Sequence, residues 1–451
     1  MKNEPKVVII GGGFGGLEAA KRLAGKPVRV TLIDKKNHHT FQPLLYQVAT
    51  AVLSPGEIAS PIRRILHRCK NIEVVLGEAS GYDLEKQTVK MKDDDEEIPF
   101  DYLIVAAGAR HSYFGHDDWE DSAPGLKTVE DALEIRRRVL LAFELAEREA
   151  ILTGKHDPLN FVVVGGGATG VELAGAIAGI ARQALAKDFK AIDTRKARVL
   201  LYEGGDRILN AFSPDLSEKA KRDLEGLGVE VYLNSFVTDL KDGNVKVADE
   251  WVECDVAIWA TGVAASFLGE ELGAETDKAG RVFVNQDLSV PGHKNIFVIG
   301  DMVHLKQENG ELVPGVAPAA IQMAQTASKN ILADIRGEPR KDFKYWDKGS
   351  MATIGRNKAI VEAGRLKMTG FLAWLAWLFI HVISLIGFKN RLYVLSEWFW
   401  AYITRERSAR LITGDAEELS DALRFLEAKP VVKELPEKKA KKPVKRKKAT
   451  K

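Results

Sequence analysis

The 451-residue chain has only two cysteines, Cys69 and Cys254, and neither stands in a C-x-x-C or C-x-x-x-x-C spacing. That excludes a disulfide framework and a dithiol redox centre, and it suits a reducing compartment. Long apolar runs are equally scarce. With 45% hydrophobic and 28% charged residues, the composition is neither that of a polytopic membrane protein nor that of a disordered chain. The N-terminus reaches an expected strand within about six residues, too few for the charged and apolar regions of a signal peptide, so the folded domains are expected in the cytoplasm. No catalytic triad or metal cluster is required by any pattern in the chain.

Net charge is only +2, but it is unevenly spread. From Lys429 to Lys451, eleven Lys or Arg stand against Glu434 and Glu437, a surplus of nine, which leaves −7 on the rest of the chain. Such a tail has too few apolar residues to fold alone. It reads either as a solvated, disordered end or as a segment that meets anionic phospholipid, and no nucleic-acid role is expected.

Glycine, in contrast, is concentrated where it carries information. Gly11-Gly12-Gly13-Phe14-Gly15-Gly16 follows the β-branched run Val7-Val8-Ile9-Ile10, and Gly165-Gly166-Gly167-Ala168-Thr169-Gly170 follows Phe161-Val162-Val163-Val164. Both lead into Ala-rich helical patterns. In this strand-turn-helix context the first glycine permits the tight turn. The second lets backbone N–H groups approach a pyrophosphate, and the third lets helix and strand pack closely. The helix N-terminus adds partial positive charge. Two such turns predict two bound dinucleotides.

Each turn has a matching acid. Asp34 ends the strand Val28-Arg29-Val30-Thr31-Leu32-Ile33, and Glu203 follows Ala197-Arg198-Val199-Leu200-Leu201-Tyr202. A carboxylate there accepts hydrogen bonds from an adenosine ribose, and at Glu203 it repels a 2′-phosphate, which favours NADH over NADPH despite the nearby Arg207. Buried strands ending in small residues recur at Phe100–Gly108 and Cys254–Gly262, and a third at Asn295–Asp301 follows once the second unit is complete. Small residues let the chain pass close to a nucleotide, which adds Gly108, Gly262 and Gly300 as candidates.

The third strand is expected to return to the first unit. The fold class is therefore α/β, with two Rossmann-like domains, the first discontinuous over 1–111 and 285–345 and the second inserted at 112–284. Residues 346–412 are expected as C-terminal helices that associate with a membrane, and 413–451 as a basic, disordered tail. The acidic run Asp93-Asp94-Asp95-Glu96-Glu97 reads as a hairpin tip.

Taken together, these residues resemble the two-dinucleotide-binding-domain flavoproteins, in which the first fold holds FAD and the inserted fold holds NAD(P)H. Within them the chain is similar to the type II NADH dehydrogenases, the non-proton-pumping NADH:quinone oxidoreductases. The similarity rests on Phe41-Gln42-Pro43-Leu44-Leu45-Tyr46-Gln47-Val48-Ala49, Gly165 to Glu172, Gly315-Val316-Ala317-Pro318-Ala319-Ala320-Ile321-Gln322, and Gly387-Phe388-Lys389-Asn390-Arg391. It covers roughly residues 5 to 412. The resemblance implies an FAD side made of Gly11, Gly13, Phe14, Gly15, Gly16, Asp34, Gln42, Gly108, Gly300, Asp301, Ala317 and Lys389. It implies an NADH side made of Gly165, Gly167, Thr169, Gly170, Glu172, Glu203 and Gly262. Glu172, expected on the first turn of its helix, would orient the nicotinamide or relay a proton. Pro318 stands where many members carry a glutamine, so Gln322 takes its place as the quinone contact. Lys389 would meet either flavin or lipid phosphate.

The acceptor depends on the C-terminal segment. Phe371 to Phe388 is an uncharged 18-residue stretch interrupted by His381 and Ser384, and Trp374, Trp377, Trp398 and Trp400 fall in it and in the next apolar segment, Tyr393 to Ile403. Tryptophan prefers the headgroup level of a bilayer, and Arg405, Arg407 and Arg410 follow. A platform lying in the cytoplasmic membrane surface is expected rather than a span, with a buried core helix or a dimer contact as the alternatives. The expected activity is electron transfer from NADH through FAD to a membrane quinone, in a homodimer by family analogy. A soluble NAD(P)H-dependent ferredoxin or rubredoxin reductase and a flavin-bound redox sensor are the alternatives.

Overall fold

The computed structural model describes residues 4–92, 96–241, 243–404, 406–407 and 409–414. Strand β1 (Lys6–Ile10) leads into helix α1 (Phe14–Leu23) and is followed by β2 (Arg29–Asp34), β3 (Ile72–Leu76) and β4 (Tyr102–Val105). The long helix α2 (Val129–Thr153) then carries the chain onward. It starts where Thr128 and Asp131 cap each other's backbone N–H groups, and it stops at Gly154 in the left-handed region, φ 75°. A second unit follows, with β5 (Asn160–Val164), α3 (Ala168–Gly179), β6 (Arg198–Tyr202), β7 (Val229–Tyr232) and β8 (Val256–Trp259).

The chain then re-enters the first unit through β9 (Ser289–Val290) and β10 (His293–Val298). The first sheet runs β9-β10-β4-β1-β2-β3 and the second β7-β6-β5-β8. All pairs are parallel except β9 with β10. Central strands of such sheets are covered on both faces, which is why β1 and β5 are nearly continuous apolar runs and almost wholly buried. The two sheets repeat one plan down to register: Ile10 faces Val105 and Ile33, as Val164 faces Trp259 and Tyr202.

Helix α4 (Ala317–Arg336) lies against α1, tied by a Gln325 Nε2 to Glu18 Oε1 bond of 3.0 Å. Beyond it the structure departs from the all-helical expectation. A three-stranded antiparallel sheet, β11 (Ser350–Gly355), β12 (Lys358–Ala363) and β13 (Leu366–Thr369), precedes the helices. Its strands are four to six residues long, too short for their pattern to stand out from a loop. The sheet is bound to the second unit through Gly175 of α3, where a Cβ would fall on the Ile354 carbonyl.

Two helices follow, α5 (Gly370–Ser384) and α6 (Phe388–Thr404). The 18-residue apolar stretch is thus broken, with Leu385 extended and Gly387 at φ 92°. At 1.5 Å per residue α5 is about 22 Å long, short of the ~30 Å hydrocarbon core of a bilayer. Among the described residues no helix is long and apolar enough to cross a membrane. The arginines after α6 also differ from expectation. Arg407 turns inward and donates to Thr50 O (2.5 Å) and Ala176 O (2.9 Å), while Arg410 bonds Ala184 O and Asp188. Both guanidinium heads are thus held by backbone carbonyls of the folded units, and Arg410 by a carboxylate as well. Arg405, the acidic residues Asp93 to Asp95 and the tail from 415 onward lie outside the described residues.

Candidate active site

The first glycine turn opens into a cleft shared by four strand ends. It is lined by Gly11 to Gly15 after β1, Asp34 at the end of β2, Ala106 to Ala109 after β4, and Ile299 to Asp301 after β10. Gln42, Ala317 and Ala320 complete it with Lys127 to Glu130, the lead into α2. A Cβ on Gly16 would fall on Gly11 O, and one on Gly11 on Ala106 O, so helix and strands meet at backbone distance. A Cβ on Gly13 would meet nothing within 4 Å. The space above that residue, facing the N-terminus of α1, is open to a phosphate.

Asp34 accepts from the N–H of Gly12 and of Lys36 (2.6 Å), and burial raises its carboxyl above the usual value. His39, which the sequence reading passed over, is 3% exposed and donates from Nδ1 to Gly12 O at 3.0 Å. Burial lowers its pKa, so the ring is neutral with Nε2 left as an acceptor. Its edge meets Phe14, 5.0 Å between centroids.

The second turn repeats the device. Glu203 accepts from Gly166 N (2.6 Å) and Gly205 N (2.7 Å), Gly170 can carry no Cβ without falling on Gly165 O, and Gly165 stands with Ala260 O 2.7 Å from where a Cβ would be. Gly167 again faces open space. Gly262, φ 70°, lets β8 leave beside Ser112 O.

Glu172 is the fifth residue of α3, past the first turn where it was expected, so the helix dipole does not explain it. Instead it lines a second cavity of about 520 Å³, within the range of small-molecule sites. Its walls are Tyr46 and Gln47 from the short helix Leu45–Ala49, Gly175 and Ala176 of α3, Thr353 of β11, Trp374 and Trp377 of α5, and Trp398, Ala401 and Tyr402 of α6. Among the described residues the Glu172 carboxylate accepts a single, long hydrogen bond, 3.5 Å from Thr353 N, and burial pushes its pKa up to about 8. His381 stacks on Trp377 at 4.0 Å, donates from Nδ1 to Trp377 O, and is pushed by burial down to about 4, a packed neutral ring.

Gln322 and Lys389 are brought neither to a cavity nor to a glycine turn. Both ends of the Gln322 amide bond the backbone of Trp346 (3.0 and 2.9 Å), fastening the segment after α4. Lys389 is exposed, its Nζ 5.2 Å from the Tyr393 ring. Conversely, Tyr46 and Gln47 were missed although they lie inside the motif that yielded Gln42. Their closeness in space to Glu172 and α6, not their position in the chain, marks them.

Comparison with known proteins settles the family. Residues 5–327 match the model of the pyridine nucleotide-disulphide oxidoreductases, and residues 347–406 match the NDH2 C-terminal domain. The chain is 47% identical over 425 residues to the type II NADH:quinone oxidoreductase NdhA of Mycobacterium tuberculosis, covering 91% of this chain and 89% of that one. The chain belongs to the type II NADH:quinone oxidoreductases. A second relative from the same organism, Ndh, is 44% identical over 422 residues, 90% of each chain. The structure of NDH2 from Plasmodium falciparum in complex with NADH superposes with a TM-score of 0.82 at 21% identity, covering 91% of this chain and all of that one.

As a type II NADH:quinone oxidoreductase the protein is an FAD-dependent enzyme that carries electrons from NADH to quinone, and the protein-acceptor alternative is set aside. The first cleft fits FAD on its own geometry: an open phosphate cradle at Gly13, an acid at Asp34, and small residues at three strand ends. Bound FAD supplies the redox chemistry, while the protein orients and shields it. The glycines differ in what a methyl group would do. Gly170→Ala is expected to destabilise the fold by about 2 to 3 kcal/mol through overpacking, seen as a lowered Tm. Gly167→Ala is expected to leave Tm within a degree or two and raise KM for NADH about tenfold, a cost of about 1.4 kcal/mol.

Proposed function

We propose that the Trp-walled cavity is the quinone site, that Glu172 is its proton donor, and that α5 and α6 form the platform by which the enzyme lies on a membrane. One observation carries this reading: the cavity that reaches Glu172 is walled by the same two helices whose outer faces are apolar. Phe371, Leu372, Phe379 and Ile383 of α5 and Phe388, Leu392, Phe399 and Ile403 of α6 are all exposed, most by half or more of their surface. A patch of this size on a monomer marks a lipid or protein contact. Its aromatic content favours the interfacial region of a bilayer.

The balanced reaction takes up one proton from the medium with the hydride of NADH to turn a quinone into a quinol. Glu172 has the properties required of the donor. Its carboxyl is raised well above the ordinary carboxylate value, so the neutral, proton-bearing form dominates at pH 7 and is lost as pH rises through about 8. Glu203 with its two glycine amides turns a carboxylate toward the second turn, which supports a preference for NADH over NADPH. In the first cleft Asp34, Gln42 and Asp301 are among the polar groups that line the space for FAD.

Three measurements test the reading. Glu172→Gln is expected to slow quinone reduction on the order of 10²-fold and to abolish the fall in kcat above about pH 8; an unchanged rate and profile would overturn the role. Ala401→Trp, which fills the cavity from α6, is expected to weaken quinone binding and raise its KM about tenfold, with NADH-dependent flavin bleaching unaltered. Membranes carrying the protein are expected to release it to detergent and not to alkaline carbonate.

A further inference from the structure

The walls of the second cavity hold a hydrogen-bond chain whose polarity can be deduced. Trp398 on α6 donates its indole N–H to Gln47 Oε1 at 2.6 Å. An indole nitrogen can only donate, so this bond fixes which end of the Gln47 amide faces α6. The Nε2 end therefore faces Tyr46 and donates to its hydroxyl at 2.8 Å. The phenol oxygen is thereby an acceptor, and its own proton must go elsewhere. Among the described residues it has no acceptor, although Tyr46 is 7% exposed and Gln47 6%. Glu172 is close enough to act on Tyr46 by charge but makes no hydrogen bond to it, and burial holds the phenol well above its ordinary value, so the proton stays. Tyr46, Gln47, Trp398 and Glu172 line the same cavity.

We infer that Tyr46 donates its hydroxyl proton in a hydrogen bond to a carbonyl oxygen of the bound quinone, and that Trp398 and Gln47 are positioning residues that keep this donor turned toward the cavity. This rests on the proposal that the cavity is the quinone site. A carbonyl is the acceptor that a quinone head offers, and a buried phenol with a spare donor recognises it. The chain also ties α6 to the reaction cavity, so the seating of that helix sets the donor's direction.

The test is binding without turnover: titration calorimetry of the oxidised holoenzyme with a water-soluble, short-chain benzoquinone, in the absence of NADH. Tyr46→Phe keeps the ring and removes the donor, and is expected to weaken binding about fivefold, the size of one neutral hydrogen bond. Gln47→Glu offers an acceptor at both ends, draws the Tyr46 proton away, and is expected to weaken binding as much. Trp398→Phe lets the amide turn over, and combined with Tyr46→Phe it is expected to add nothing further. Tyr46→Phe binding as tightly as the wild type, or Tyr46→Phe and Trp398→Phe effects that simply add, would overturn the inference. If Ala401→Trp also leaves binding unchanged, the quinone-site reading falls with it; if Ala401→Trp blocks binding, only the hydrogen bond falls.

Discussion

The closeness of backbone to backbone at the two glycine turns is the constraint on which the rest depends. At Gly16 and Gly170 a helix sits on the carbonyl of its own strand end with no room for a single carbon. That contact orients the first turn of α1 and α3 toward the open space over Gly13 and Gly167, and it sets the direction in which each helix leaves the sheet. The acids lock the arrangement, since Asp34 and Glu203 each hold a glycine amide of the neighbouring turn. The heading of α3 then determines where Glu172 can be. One turn further along, Gly175 brings the same helix onto β11, so a nucleotide-binding device and the wall of a different cavity share twelve residues.

What could be read from the sequence follows from how local each signal is. Glycine turns, the strand-end acids Asp34 and Glu203, and the apolar strands before them are fixed by neighbours in the chain, and their elements fall where expected. The return of the strand ending at Val298 to the first sheet was also readable, because a third small-residue strand end has no place in a completed second unit. Other features depend on contacts far apart in sequence. Gln322 looks available until Trp346 is found against it, and Arg407 looks like a lipid contact until Thr50 and Ala176 are found around it. The strands from 350 to 369 escaped notice because a short sheet takes its meaning from what packs on it, here α3 and α5. Tyr46 and Gln47 escaped for the same reason: the Gln47 amide that bonds Tyr46 accepts in turn from Trp398, 351 residues ahead.

The polar groups of Gln47, Trp398 and Arg407 are paired with backbone, amide and phenol groups rather than with opposite charges. Among the described residues Arg407 has two carbonyl oxygens and no carboxylate partner, and burial lowers it to about 10. Still protonated at neutral pH, it joins the segment after α6 to the FAD side through Thr50 and to the NADH side through Ala176. A cation with such partners places a positive potential near Tyr46 without neutralising Glu172 by a direct ion pair. The carboxyl of Glu172 therefore responds to burial, which favours the proton, rather than to a partner, which would remove it.

The break between α5 and α6 has a consequence for the path of a greasy substrate. A single helix standing across a bilayer would present its sides to lipid and its ends to water, and a molecule leaving it would meet one or the other. Two short helices folded against each other instead make a sheet of protein one helix thick, about 10 Å. If its outer surface rests in lipid, as proposed, a quinone has only this one-helix layer, closed at Trp374 and Tyr402 by rings stacked 5.5 Å between centroids, between the hydrocarbon and the cavity. The isoprenoid end of such a molecule need not leave the hydrocarbon while its head is inside. The solubility of the substrate in water then ceases to limit the rate at which the enzyme is supplied.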